Sequence, residues 1–289
     1  MKWPALLLVS LLVGCSSSRV EAPPDDAQMQ EAGRAGILSM SLEHPDQSVD
    51  QFQAALARAE LRDDLGAISD YGYDLAVAEL ARGRPKAALT TARTVIAEVR
   101  RHGSKVSSSL VLVEATALYR TGALSQAEAL AATIEGPSGD PHVRFQACFL
   151  RGLIAAEWSD TSRLEAARRC VARPTIAAER ADLHELSALI SLRRRDLSAA
   201  EREAESAADL RREVHDYRGM ARALALAGAA AQHRGSMAAA ASLYLQAGRS
   251  AAVQGDRQAA RQWLHRALSL SRDPELRAQA QRELSGLRK

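Results

Sequence analysis

Amphipathic helical periodicity runs through almost the whole chain from residue 27 onward, and it strongly limits what the chain can fold into. Apolar residues recur about every three to four positions, and short breaks containing Gly, Asp or Pro separate the runs. The pattern predicts fourteen helices, over residues 27–43, 47–60, 63–82, 85–101, 105–121, 124–135, 142–158, 162–172, 175–194, 197–214, 218–234, 236–253, 256–270 and 274–287. The chain is therefore expected to be all-α.

Amino-acid usage favours the same fold class. Aromatic residues are 4% of the chain, alanine and leucine dominate, and β-branched and aromatic residues, which strands prefer, are few. No acidic or basic block stands out, so neither nucleic acid nor an anionic membrane surface is an expected partner.

The segment from residue 241 to 274 carries an ordered set of small, turn and terminating residues. Small side chains at facing positions let two helices approach closely, and glycine releases a tight turn from steric restriction. In order, these residues are Tyr244, Ala247, Gly248, Gly255, Asp256, Ala260, Ala267, Asp273 and Pro274. The segment resembles a tetratricopeptide repeat almost position by position.

The alanine of the second repeat helix recurs elsewhere, at Ala88, Ala127, Ala166, Ala200, Ala240 and Ala260. Most intervals are near the period of a two-helix repeat, but the last is one helix long. The helix at 236–253 is therefore interpreted both as the second helix of one unit and as the first helix of the next.

This resemblance implies an all-α, right-handed superhelical solenoid of antiparallel helix pairs over residues 29–289. The repeats are clearest over 63–271, and 272–289 is expected to form a capping helix. Arg195 stands where the family has a turn glycine. Residues 27–62 match no repeat well, which leaves a plain helical bundle as the alternative there.

The N-terminus carries an export signal. Lys2 precedes an apolar run from residue 3 to 13, too short for a permanent membrane span, which leads to Gly14 and Cys15. The end of this run resembles a bacterial lipobox, which implies that Cys15 is lipidated and that residues 1–14 are removed. Ser16 then favours the outer membrane over the inner membrane, and residues 15–28 form a polar tether. The alternative is an ordinary signal peptide.

No catalytic or metal-binding motif is found. A zinc-protease helix would need a histidine four residues after His184, and Ala188 stands there. The other histidines are scattered, and no glycine-rich phosphate loop or nucleophile elbow is present. We therefore expect no enzyme activity, no metal and no cofactor.

The tetratricopeptide resemblance implies that a protein or peptide partner binds in a concave groove lined by the first helices of the units. The implied groove residues mix aromatic and charged types, which often anchor interfaces. They are Asp70, Tyr73, Tyr119, Arg120, Arg151, Trp158, Glu185, Arg193, Gln232, His233 and Arg249.

Cys148 and Cys170 lie on consecutive predicted helices, equally far from the turn that joins them. In an antiparallel pair they are side by side, and an exported protein meets oxidising conditions. Packed helix axes are usually about 8–10 Å apart, farther than a disulfide prefers. The alternatives are a disulfide and two reduced, buried thiols.

These features predict a lipid-anchored scaffold at the outer membrane, facing the periplasm, that aids assembly or maintenance of an envelope complex. The alternative is a structural accessory subunit of an export or polysaccharide-secretion apparatus. A glycan hydrolase, or a regulator of one, would need paired carboxylates in a cleft, and the sequence does not display them.

Overall fold

A computed structural model describes residues 26–134, 140–171 and 173–287, and these residues contain fourteen helices and no strand. The prediction of an all-α chain is confirmed, and every predicted helix is found with its ends shifted by at most three residues. The helices are α1 (Ala27–Ser41), α2 (Pro45–Leu61), α3 (Leu65–Ala81), α4 (Pro85–Arg101), α5 (Ser108–Arg120), α6 (Leu124–Ala132), α7 (Pro141–Glu157), α8 (Thr161–Cys170), α9 (Ala177–Arg193), α10 (Leu197–Glu213), α11 (Tyr217–His233), α12 (Met237–Val253), α13 (Arg257–Leu270) and α14 (Pro274–Gly286).

The helices form a solenoid in which each packs against the next along the chain. The odd-numbered helices from α3 to α11 also contact one another in series. These first helices of the pairs form one layer, and α4, α6, α8 and α10 form the other. The N-terminal helices α1 and α2 continue the same serial packing into α3.

Close helix approach depends on small residues in the first helices. A Cβ on Gly72 would collide with Val95 of α4, and a Cβ on Gly152 would lie 2.6 Å from Leu186 of α9. Because packed interiors leave no spare volume, a larger side chain at either position would push neighbouring helices apart.

The repeating alanine of the second helices is buried in five of the six predicted positions. In α4, α6, α10, α12 and α13 the fourth residue after the N-cap is a fully buried alanine. The prediction of Ala166 for α8 is wrong, since that residue is exposed. Leu164 takes the equivalent position, 1% exposed, because it is the fourth residue after the N-cap Asp160.

Ten of the described turns contain one left-handed residue, which is glycine in five of them and another residue type in the other five. Arg195, where the family has glycine, has φ 61°, close to the φ of 71° at Gly255. The turn geometry is thus kept without glycine, at a conformational cost that glycine would not carry.

Aspartate side chains begin many of the helices. Asp196 and Asp273 accept backbone hydrogen bonds from Ala199 and Glu275, as N-cap side chains do. In α2, His44 occupies the N-cap position and Asp46 lies in the first turn.

The last helices change partners, as the double interpretation of the 236–253 helix predicted. Helix α12 packs against α11 as the second helix of a pair, and it also contacts α13 and α14. It therefore belongs to two successive units.

Among the described helices, none is both long and apolar enough to cross a membrane.

Candidate functional site

The solenoid curls until its N-terminal part meets its C-terminal part. Arg218, at the start of α11, donates hydrogen bonds to the carbonyl oxygens of Ala81 (3.1 Å) and Gln254 (2.8 Å). The turn at Gly83 lies against the backbone of Gly255. The first-helix layer therefore forms the inner surface of this curl, with residues of α3, α5, α7, α9 and α11 facing it.

A buried cluster of charged side chains lies at the centre of the curl. Arg211 of α10 bonds to Asp182, to Glu185 (3.1 Å) and to Asp216. The side chains of Arg211, Asp182 and Glu185 are each less than a tenth exposed. Because isolated buried charges are costly, this mutual pairing is what permits their burial.

A second arginine of the cluster comes from α11. Arg222 binds Glu185 through two nitrogens, with Nη2 2.9 Å from Oε2. The guanidinium carbons of Arg211 and Arg222 lie 5.4 and 5.6 Å from the ring centre of Phe149 on α7. The cluster therefore joins α7, α9, α10 and α11 through ion pairs and cation–π contacts.

For each of these charged groups, burial shifts the pKa in one direction and pairing with the opposite charge shifts it in the other. Burial raises the pKa of Asp182 to about 7, although Arg211 opposes this shift. Burial also works against the charge of Arg222, but Glu185 raises the pKa of that guanidinium above its ordinary value. Arg222 therefore stays charged, while burial disfavours the charge of Asp182 and Arg211 favours it.

Tyr119 and Arg120, at the end of α5, approach the same region. Arg120 donates a 2.7 Å hydrogen bond from Nη1 to the carbonyl of Leu80. Surrounding protein and the nearby cations of Arg218 and Arg222 lower the pKa of Arg120 to about 10. Its side chain is still exposed to solvent inside the curl, which leaves a positive group at the inner surface.

A patch of opposite charge lies on α3. Asp70 is exposed, and Tyr73 and Asp74 beside it are half-buried. Burial, together with the charge of Asp70, raises the pKa of Asp74 to about 6. The inner surface thus has an acidic, aromatic side on α3 and a basic, aromatic side on α5.

The structure brings some predicted groove residues together and separates others. Glu185 belongs to the buried cluster, Tyr119 and Arg120 lie near it, and Asp70 and Tyr73 lie on the same helix layer. Arg151 faces α6 through Glu128 (2.9 Å), and Trp158 lies at the α7–α8 turn with Arg163 stacked 5.2 Å from its ring centre.

The remaining predicted groove residues lie at helix ends or face other helices. Arg193 donates to the carbonyl of Ala156 (2.6 Å), and His233 is exposed at the end of α11. Gln232 accepts from Arg266 of α13 (3.3 Å), while Arg249 pairs with Glu283 of α14 (3.2 Å).

Sequence reasoning missed most of the central cluster. The sequence carries only a partial signal of this cluster. Asp182 and Glu185 on α9 are three residues apart, and Arg218 and Arg222 on α11 are four apart. Residues at these spacings share one helix face. The missed residues are Phe149, Asp182, Arg211, Asp216, Arg218 and Arg222.

Cys148 of α7 and Cys170 of α8 form a disulfide, with Cα atoms 6.0 Å apart. Gly152 and Ala167 lie between the two helices, and a Cβ on Gly152 would be 3.2 Å from the Ala167 Cβ. These small residues allow the approach that ordinary helix spacing would prevent.

Three histidines, His102, His142 and His184, lie within reach of carboxylates. His184, the residue of the incomplete zinc-protease pattern, lies 2.7 Å from Glu203 of α10. Asp63, Glu98 and His102 place three potential metal-ligand atoms within 4.8 Å of one another at the surface. Arg101 already pairs with Glu98 at 2.7 Å, which accounts for this group as a surface ion-pair network.

Cys15, the predicted lipidation site, lies outside the described residues.

No family model and no curated protein matches the chain. A tetratricopeptide repeat protein from Parabacteroides merdae is similar to it, with 16% identity, coverage of 91% of this chain and 100% of that chain, and a TM-score of 0.48. The TPR2AB domain of yeast Sti1 in its pHSP90 complex is 15% identical, with coverages of 88% and 98% and a TM-score of 0.33. These two structures are described as tetratricopeptide repeat proteins.

Proposed function

We propose that this chain is a lipid-anchored protein-interaction scaffold of the cell envelope. Cys15 would attach it to the outer membrane, facing the periplasm, where it would bind a protein or peptide partner during assembly or maintenance of an envelope complex. The chain would supply binding and no chemistry, because its central charged groups are committed to one another in salt bridges.

The inner surface of the curl is the observation that carries this proposal. Exposed Asp70 and Arg120 lie beside half-buried Tyr73 and Tyr119, on neighbouring helices of one layer. Aromatic and arginine side chains contribute most of the energy of many interfaces. Opposite charges on α3 and α5 would fix the orientation of a bound segment.

Photocrosslinking in cells tests the surface. A photoreactive side chain at position 70 or 120 should give a defined adduct with one partner, identified by mass spectrometry. Matched positions on the outer helices, Thr94 of α4 and Ser206 of α10, are exposed and should give little of that adduct. Equal yields from inner and outer positions would contradict the proposed binding surface.

Intact mass tests the anchor separately. The mature protein should begin at Cys15 and carry a lipid adduct, and Cys15→Ser should remain unprocessed or leave the membrane fraction. Two or more acyl chains hold a protein durably, whereas one chain is marginal. A mature chain without lipid would disprove the anchor and leave the binding surface to be judged by crosslinking.

A further inference from the structure

Three large aliphatic side chains are exposed at the end of the first helix. Ile37 and Leu38 are each 59% exposed and Leu42, the C-cap residue, is 58% exposed. At about 100° per residue, Leu38 lies on the opposite side of α1 from buried Gly36. The three residues form an apolar patch that faces away from α2 and the core.

The other end of the solenoid is built differently. The leucines of α14, Leu276 and Leu284, pack against the C-terminal core, and Leu287 after the helix is buried. A terminal repeat is normally polar on its outer face, because no further repeat covers it. The C-terminal end follows this rule, whereas α1 departs from it.

The predicted tether leads into this helix, which already includes residues 27 and 28. Asp26 is the N-cap of α1, and Arg58 of α2 holds its carboxylate with Nη2 at 2.9 Å and Nε at 3.0 Å. The ten residues from 16 to 25 separate it from Cys15, and ten residues reach at most about 35 Å. Helix α1 has fifteen residues and is about 22 Å long.

We propose that the patch of Ile37, Leu38 and Leu42 rests on the lipid bilayer that holds the anchor. This inference rests on the proposed lipidation of Cys15, because the anchor brings α1 within one tether length of the membrane surface. Exposed apolar patches mark protein or membrane contacts, and the nearby anchor favours the membrane here, because aliphatic side chains suit the apolar part of a bilayer interface.

Tethering makes a small patch sufficient. Three aliphatic residues would not hold a free protein on a membrane, but the anchor turns their contact into an intramolecular event with a high effective concentration. The contact would restrict the orientation of the solenoid relative to the membrane. It would need no anionic lipid, in keeping with the balanced charge of the chain.

Crosslinking to lipid tests this contact. The full lipidated protein is reconstituted into phosphatidylcholine vesicles with a photoreactive diazirine side chain at position 38, or at exposed Ser206 of α10 as the matched control. We expect at least ten times more phospholipid adduct from position 38. The double variant Ile37→Ser/Leu42→Ser should lower the yield at position 38 by at least threefold.

If something other than lipid covers the patch, the crosslink from position 38 gives a different product. A crosslink from position 38 to residues 16–25, to a second copy or to another protein, in place of phospholipid, would overturn the proposal, and so would equal lipid labelling at both positions. Intact mass separates this failure from failure of the anchor. A lipidated Cys15 without patch labelling refutes only the patch, whereas an unlipidated Cys15 refutes both.

Discussion

Arg218 of α11 donates a hydrogen bond to the carbonyl of Ala81 at the end of α3, 137 residues earlier in the chain. The same guanidinium bonds to the carbonyl of Gln254 and lies 3.4 Å from the carboxylate of Asp256. One side chain therefore connects both sides of the closed curl.

Arg218→Gln should loosen this closure. The variant loses charge-assisted hydrogen bonds, each worth about 1.5–3 kcal/mol at most, while the helices themselves remain packed. Hydrogen exchange should become faster at residues 80–84 and 254–256 and stay unchanged in α7. Arg212→Gln is the control, since exposed Arg212 pairs with Asp209 on its own helix. Unchanged exchange at both turns would show that Arg218 does not hold the curl.

Arg211→Met should strongly destabilise the fold, because it leaves buried Asp182 without its paired cation, while Glu185 keeps only Arg222. Breaking one side of a buried ion pair typically costs about 3–5 kcal/mol. Urea unfolding of the variant measures this loss. Arg211→Met/Asp182→Asn should lose less than the single variant, because one stranded charge is removed with the cation. A double variant less stable than the single one would contradict this account.

Asp74→Asn should stabilise the protein at pH 7.5 and have little effect at pH 4. The pKa of Asp74 is about 6 in the folded chain, above its ordinary value of 3.8. The folded state therefore holds the proton more tightly, and stability falls as pH rises from about 4 to 6. A shift of about two pKa units corresponds to about 3 kcal/mol, and solvent screening of this half-exposed carboxyl lowers the expected gain at pH 7.5 to on the order of 1 kcal/mol.

Thermal unfolding at the two pH values measures the effect of Asp74→Asn. The exposed Asp50 of α2 provides the control substitution Asp50→Asn. An equal gain at pH 4 and pH 7.5 would mean that the stabilisation does not come from the ionised form of Asp74.

Reduction of the Cys148–Cys170 disulfide should lower stability by on the order of 3 kcal/mol in the chain-entropy model, because the bond joins residues 22 apart in the chain. Cys148→Ala/Cys170→Ala should unfold at the same lower urea concentration as the reduced protein. Peptide mapping after thiol labelling of unfolded, unreduced protein gives a direct check. Label on both cysteines in every chain would mean that the bond is absent.

Local sequence signals account for the helices and the turns. Fourteen helices were predictable because apolar periodicity and helix-ending residues act within a few positions of each other. The Cys148–Cys170 pair was also accessible, since two consecutive antiparallel helices place residues equidistant from their turn at the same height. Residue type alone does not identify every turn, because the left-handed turn at Arg195 forms without glycine.

The burial of individual side chains could not be predicted without knowing how the helices pack. Ala166 and Leu164 both lie on α8, and periodicity alone did not show which one faces the neighbouring helices; the structure buries Leu164. Arg151 likewise bonds to Glu128 of α6, a contact that depends on how α7 is rotated in its packed position.

The sequence by itself therefore determined the helices, their order and their antiparallel pairing, because those depend on contacts between near neighbours in the chain. Only the tertiary structure decided the curvature, and with it the inner surface. Small differences in packing at each helix pair accumulate along a solenoid. Their sum brings Arg218 to Ala81, 137 residues apart in the chain, while the packing of α9 against α10 buries Asp182, Glu185 and Arg211 together. No local pattern contains either result.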